Sequence, residues 1–253
     1  MSGKFFYFFS SLFLITLISC QTTNWSEIDF TQDSIPPIKL HKAKAYISKI
    51  DLDSVALVLG INTEDFYSVA DFAKENNLDY AINTTPYYYD QNNQCQLLGI
   101  TKFNEETLSC ANEKYSALAF YFNEENQLRA KIIKNQSQEE IQKYPAVIGA
   151  YFTILQDNQI QEFKKYKRSR TACGLSSDGR YLYLLCVTSN LISDLSGMTY
   201  QECAELLKEL NCSDALEFDG GHSSAMYSPE FGYICAKSTK NIPASIGFYR
   251  KAH

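Results

Sequence analysis

The segment R-T-A-C-G-L-S-S-D-G-R-Y-L-Y-L-L-C-V, Arg170 to Val187, sets the tightest limit on the fold. Two strand-forming runs flank Asp178-Gly179, and Asp-Gly is a strong hairpin signal because both residues tolerate positive φ. A turn centred there places Cys173 opposite Leu184. A Cys173–Cys186 bridge would then need a shifted register or a bulge. More strands surround this hairpin. His41 to Ile50 alternates, with Ala43, Ala45, Ile47 and Lys49 on one side, and Val55 to Leu59 is a short apolar run of the buried-strand kind. Tyr80–Ile82, Leu97–Phe103, Ser116–Phe122, Leu128–Ile133, Ala146–Leu155 and the closing Asn241–Arg250 are further strand candidates. Asn123–Gln127 is a polar turn between two of them.

Helices are few. Glu64 to Asn76 has helical spacing, with Phe66, Val69, Ala70 and Ala73 on one stripe and acids in the first turn. Thr199 to Leu210 is the clearest helix. Thr199 and Glu202 form a capping box, and Cys203, Leu206, Leu207 and Leu210 make its buried stripe. There is no internal repeat. Together these elements predict an α+β fold, with mixed or antiparallel sheets and a few packed helices, in one domain from Ile38 to His253.

The first charge is Lys4, followed by an uncharged apolar run from Phe5 to Ile18 that ends in Leu17-Ile18-Ser19-Cys20. This is the pattern of a secretory signal. The run is shorter than the roughly 20 residues of a membrane span. Its Ser-Cys end resembles the lipobox of bacterial lipoproteins. That resemblance predicts removal of residues 1–19, lipidation at Cys20, and a membrane-anchored place in the cell envelope. Polar Gln21 to Pro37 reads as a tether.

A net charge of −6 with no Lys/Arg run argues against nucleic acid and anionic lipid surfaces as partners. Eight cysteines less Cys20 leave an odd number, which cannot all pair, although one or two disulfides are allowed. Their spacing matches no zinc pattern, and three histidines are too few for a His-rich metal centre. Most read as small buried apolar residues. Tyrosines outnumber phenylalanines, either as amphipathic filling of a β-rich core or as sugar contacts.

Chemistry concentrates in E-F-D-G-G-H-S-S, Glu217 to Ser224. A carboxylate ends a strand, two glycines follow, then an imidazole and two hydroxyls. Paired glycines let a ligand approach the main chain, and successive N–H groups there form an anion-binding nest. The bland alternative is a tight turn in which Asp219 caps backbone amides. Asp157, Asp178 and Asp194 sit in turn-like settings that suit structural roles.

Arg170-Thr171-Ala172-Cys173-Gly174, the Asp-Gly hairpin, the capped helix in G-M-T-Y-Q-E-C-A-E-L-L, and L-E-F-D-G-G-H-S-S follow one another in order. This ordered set resembles the phosphodiester glycosidase family, closely over Arg170 to Ser224 and more loosely back to Asn83. Three positions depart from the family pattern: N-T-T-P-Y after Asn83, His222 in place of a third glycine, and Lys240 before I-P-A.

The resemblance implies a hydrolase acting on a sugar-1-phosphodiester or a related envelope glycan. Asp219 would stabilise the anomeric carbon, with Glu217 two residues earlier as its partner acid. His222 would shuttle a proton, or merely fill the turn. Arg170 would bind phosphate, or serve as a structural partner of a buried group. The Gly220 and Gly221 amides would add donors. Asn83, Thr171, Ser223 and Ser224 would bind sugar hydroxyls or phosphate. No cofactor is expected. Calcium on Asp219 and loop carbonyls is conceivable chemically, though no calcium-loop spacing is present. Two other readings stand beside the enzyme: a glycan-binding lipoprotein of the same fold, and a structural envelope lipoprotein.

Overall fold

The computed structural model of the protein describes residues 35–40, 42–104, 106–163, 166–189, 196–236 and 239–251. The predicted signal peptide, Cys20 and Asp194 lie outside these residues. Strands dominate, in sheets of seven, five and five strands and a separate two-stranded ribbon. Every pairing between the strands described is antiparallel. The α+β expectation therefore resolves to a sheet-dominated fold, antiparallel rather than mixed, with a few short helices on the outside.

The large sheet runs Ile38–Leu40, Ala43–Asp51, Tyr181–Ser189, Arg170–Leu175, Asp214–Glu217, Phe152–Gln156, Gln159–Ile160. At its centre is the predicted hairpin, with Cys173 opposite Leu184. The Gly179 N–H donates to the Ser176 carbonyl at 2.9 Å, and Gly179 takes φ +69°. The seven cysteines from Cys95 to Cys235 are all free, so the disulfides the count allowed are not formed among them.

The large sheet is covered on both faces. On one, Ile47, Ala172, Leu185 and Val187 pack against Leu206 and Leu207 of the helix Tyr200–Glu209. On the other, Ile50, Cys173, Leu182 and Leu184 meet Ile82, Ile148 and Phe248 of the two five-stranded sheets. This explains why His41–Ile50 does not keep the simple alternation expected of it. Ala43, Ala45 and Ile47 share a face, but Ser48 and Ile50 are buried on the other, and Lys49 is exposed. Its ammonium lies 4.3 Å from the Tyr181 ring. Ile35 is also buried in the helix-side core, ahead of the expected domain start at Ile38.

The capped helix formed as predicted, with both capping-box hydrogen bonds between Thr199 and Glu202. The first helix is shorter than predicted. It spans Val69–Glu75 and is capped by Ser68. The Asn62 side-chain oxygen accepts the N–H groups of Glu64 and Asp65, so that stretch is a capped turn and Phe66 falls outside the helix. Ala146–Leu155 is not one strand either. Ala146–Gly149 belongs to a five-stranded sheet and Phe152–Gln156 to the large one. At the corner between them the Tyr151 N–H donates to the Glu217 carbonyl at 2.8 Å. That corner delivers Tyr151 to the end of the Asp214–Glu217 strand.

Candidate active site

The Asp214–Glu217 strand pairs on one side with Arg170–Leu175 and on the other with Phe152–Gln156. Beyond Glu217 the chain leaves the sheet but stays tied to it. The Phe218 N–H donates to Thr171 (2.8 Å), the Asp219 N–H to Thr84 (2.8 Å), and the Gly221 N–H to Ser169 (2.9 Å), each at a backbone carbonyl. Gly221 needs its glycine for φ +61°. At Gly220 a Cβ would sit 3.1 Å from the Ser169 carbonyl, tighter than side chains ordinarily pack.

Asn83 locks this turn from beneath. Its Nδ2 donates to the Asp219 carbonyl at 2.6 Å, and its Oδ1 accepts the Thr171 hydroxyl at 2.9 Å and the Ala225 N–H at 3.0 Å. Asn83 and Thr171 are both fully buried. The structure therefore places them under the site as supports, whereas the sequence suggested ligand contacts. The same holds for the Gly221 amide, which is already given to Ser169. The Gly220 N–H serves the Asp219 carboxylate.

Two acids stand at the turn with different surroundings. Glu217 is 1% exposed, and neither of its carboxylate oxygens has a hydrogen-bond partner. Burial pushes its pKa up to about 8. The nearby Arg170 charge pulls the other way, and Asp219 adds to the rise. Asp219 is half-buried. Burial pushes it up to about 6, against the Ser223 hydroxyl and the Gly220 N–H, which favour its charged form. At neutral pH Asp219 is mostly ionised and Glu217 mostly protonated. Environments that push two acids apart assign them different roles.

Arg170 faces Glu217 with Nη1, 3.7 Å from Oε1. Two of its other N–H donors are taken, Nε by the Met198 carbonyl at 2.9 Å and Nη2 by the Tyr166 carbonyl at 2.6 Å. The guanidinium also lies 3.9 Å from the Tyr200 ring centre. His222 is exposed on the short turn Gly221–Ser223, and its carbonyl accepts the Lys240 N–H. Ser224 is fully buried with an unpartnered hydroxyl, as are Thr84 and Thr85. Among the described residues, no group of three or more His, Cys, Asp or Glu side chains gathers as a metal site would require.

Sequence reasoning missed the tyrosines around these acids. Burial raises the hydroxyl pKa values of Tyr87, Tyr151 and Tyr200; the Asp219 charge adds to the rise at the first two, and at Tyr200 the Arg170 charge opposes that of Glu217. Tyr151 stacks on Phe152 at 5.7 Å, and Phe152, Phe163 and Tyr200 continue the aromatic wall. The available signals were the excess of tyrosines and the run T-T-P-Y-Y-Y directly after Asn83.

Three solved structures resemble the fold. A protein described as exported, from Burkholderia pseudomallei, superposes with a TM-score of 0.65 at 10% identity, covering 82% of this chain and 74% of that one. A hypothetical protein from Synechocystis gives 0.63 at 12% identity, covering 85% of this chain, which spans only 61% of that protein. The catalytic domain of zebrafish N-acetylglucosamine-1-phosphodiester alpha-N-acetylglucosaminidase, auto-inhibited by its pro-peptide, gives 0.58 at 18% identity, with 83% of each chain covered. No match was found among curated proteins. The family model described as phosphodiester glycosidase matches residues 76–249, which takes in the Asn83 lock, the hairpin, the capped helix and the acid turn. By that match the chain belongs to the phosphodiester glycosidase family.

Proposed function

We propose that this protein is a hydrolase that cleaves the bond between a sugar's anomeric carbon and a phosphodiester oxygen, or a related envelope glycan. It would act as a single domain held to the cell envelope by a lipid on Cys20. The observation that carries the catalytic reading is the acid pair on the pinned turn, Glu217 wholly buried and Asp219 half-buried, with burial raising both pKa values and that of Glu217 further.

In this reading the Asp219 carboxylate faces the anomeric carbon as positive charge develops there. Water adds to that carbon and gives a proton to Asp219. The carbon–oxygen bond breaks, and its electron pair leaves with the phosphate as a monoester. That group is a good leaving group and needs little protonation. Glu217 is too buried to touch substrate. Protonated, it leaves Asp219 as the single negative charge of the pair. Arg170 sets the balance from behind, and Ser223 orients the carboxylate. His222, on the rim, returns the proton to solvent.

The test is hydrolysis of a panel of sugar-1-phosphodiesters and para-nitrophenyl glycosides, with Asp219→Asn as control. Free sugar released by the parent protein and not by the variant supports the proposal. Equal release by both sinks the mechanism. A separate test concerns the anchor: labelled palmitate should enter the full chain and not Cys20→Ala.

One observation favours the second reading, a glycan-binding module without turnover. The Gly221 amide and two donor positions of Arg170, which would hold a phosphate, are already spent on carbonyls. Glycan binding by calorimetry with no product over long incubation would decide for it.

A further inference from the structure

A second group of rings begins beside Asp219, at Tyr87. Tyr87 and Tyr89 stand two apart on the strand Tyr87–Tyr89, so they share a face. Both meet Phe66: Tyr87 edge-on at 5.2 Å, and Tyr89 nearly parallel at 6.3 Å and 16°. Tyr87 and Tyr89 are themselves in edge contact at 6.1 Å. Thr84, whose carbonyl accepts the Asp219 N–H at 2.8 Å, stands three residues before Tyr87, Tyr87 feels the charge of Asp219, and Tyr89 is 55% exposed. The three rings thus run from the acid out to solvent.

Their supports are hydrogen-bonded throughout and serve no larger sheet. The ribbon of Tyr87–Tyr89 with Cys95–Leu97 is separate from the other sheets. Asp90 fastens its turn, accepting the N–H groups of Asn92 and Gln94 at 2.9 Å on one oxygen and the Gln96 amide at 3.1 Å on the other. The Leu98 N–H donates to the Pro86 carbonyl and closes the ribbon's base. Phe66 is held from behind, where its carbonyl accepts the Asn241 amide at 3.1 Å. Tyr89 is exposed and Phe66 and Tyr87 are only half-buried, so the cluster contributes little to the core.

We infer that Phe66, Tyr87 and Tyr89 form a stacking subsite for a pyranose ring next to the sugar at Asp219, which makes them specificity-determining residues. The inference rests on the hydrolase reading for the position of the cleaved sugar. A pyranose presents an apolar C–H face that fits an aromatic ring, and hydroxyls that suit tyrosine O–H groups. The turn between the ribbon's two strands exposes Gln91, Asn92, Asn93 and Gln94, which suit a hydroxylated ligand better than an acyl chain.

The probes are two N-acetylglucosamine 1-phosphodiesters, one a methyl ester and one esterified to a methyl glucoside, together with an array of neutral oligosaccharides. Each is bound to Asp219→Asn protein with and without Tyr89→Ala, and each ester is also offered to protein with intact Asp219. Tyr89 is more than half exposed, so its truncation leaves the core alone. Phe66→Leu serves as a second variant. Loss of one stacking contact weakens binding about five- to tenfold. The glucoside ester should lose that factor and the methyl ester much less. Exposed Tyr249→Ala, at the far end of its strand, should change neither. If no ester is cleaved but array binding is lost in Tyr89→Ala, the subsite stands and the hydrolase reading falls. Equal losses on both esters, no loss on either, or no binding to any probe overturns the subsite.

Discussion

The protein has two Asp-Gly turns, and they behave in opposite ways. At Asp178-Gly179 the carboxylate is exposed. It accepts the Ser176 hydroxyl at 2.5 Å and the Arg180 N–H at 3.1 Å, and the Ser176 bond, the largest influence, holds its pKa below the ordinary range. At Asp219-Gly220-Gly221 burial outweighs similar hydrogen bonds and pushes the pKa up. The residue types are the same, and so are the kinds of partner. What differs is solvent. An acid in water at a turn is a cap, while an acid half-buried beside a second, wholly buried acid titrates closer to neutral pH.

The largest expected difference between the two turns is in turnover. Asp219→Asn should lower kcat/KM by about 10²–10⁴-fold, the usual worth of a general acid or base, with the melting temperature held or raised. The expected rise has a physical cause, because the substitution removes a charge that burial penalises. The pH profile should fall on its acid side near the Asp219 value of about 6. Turnover unchanged in Asp219→Asn would make the acid turn a cap like the other.

Stability against pH should show the next largest effect. The folded pKa of Glu217 lies above its ordinary value of 4.5, at about 8. The unfolded chain therefore releases this proton first, and stability falls as pH rises between those two values. At about 1.4 kcal/mol per pKa unit this amounts to a few kcal/mol, so the protein should melt lower at pH 8 than at pH 5. Glu217→Gln should flatten that slope. A parallel slope in the variant would mean that other groups cause it.

The two glycines rank differently. Gly179 has φ +69°, and a Cβ there would run into the Ala130 carbonyl. Gly221 has φ +61° but open space around it. Gly221→Ala should cost about 1–2 kcal/mol from backbone strain alone, and Gly179→Ala clearly more, as read by urea denaturation. Equal costs would show that the hairpin loop yields to relieve the clash.

Legibility followed sequence distance. The hairpin register and the capping box are local, so the residues that make them are neighbours in the chain and could be read there. Phe66 was misassigned for a local reason of a different kind: Asn62 offers its oxygen to two N–H groups, and that turn outcompetes the helix start. The family motifs found the acid turn, Asn83, Thr171 and Arg170. They did not reveal that Asn83 and Thr171 are supports, or that the Met198 carbonyl holds Arg170, because those facts arise from partners 28 to 142 residues away. The tyrosine walls were illegible for the same reason. Tyr87, Tyr151 and Tyr200 come from three separate segments that only the fold brings together.

The smallest effect should come from Asp178, and its sign matters more than its size. Its pKa is lowered, so its contribution to stability is present above the ordinary carboxylate range and is lost as pH falls through the folded value. This runs opposite to Glu217, whose penalty grows as pH rises. Asp178→Asn keeps a residue suited to the turn and should change stability at pH 7 by no more than about 0.5 kcal/mol, with hydrolysis unaffected. Melting curves of the variant and the parent should converge as the pH drops below 4. If they instead diverge there, Asp178 is buried in a way its exposed position denies, and burial is not what separates the two turns.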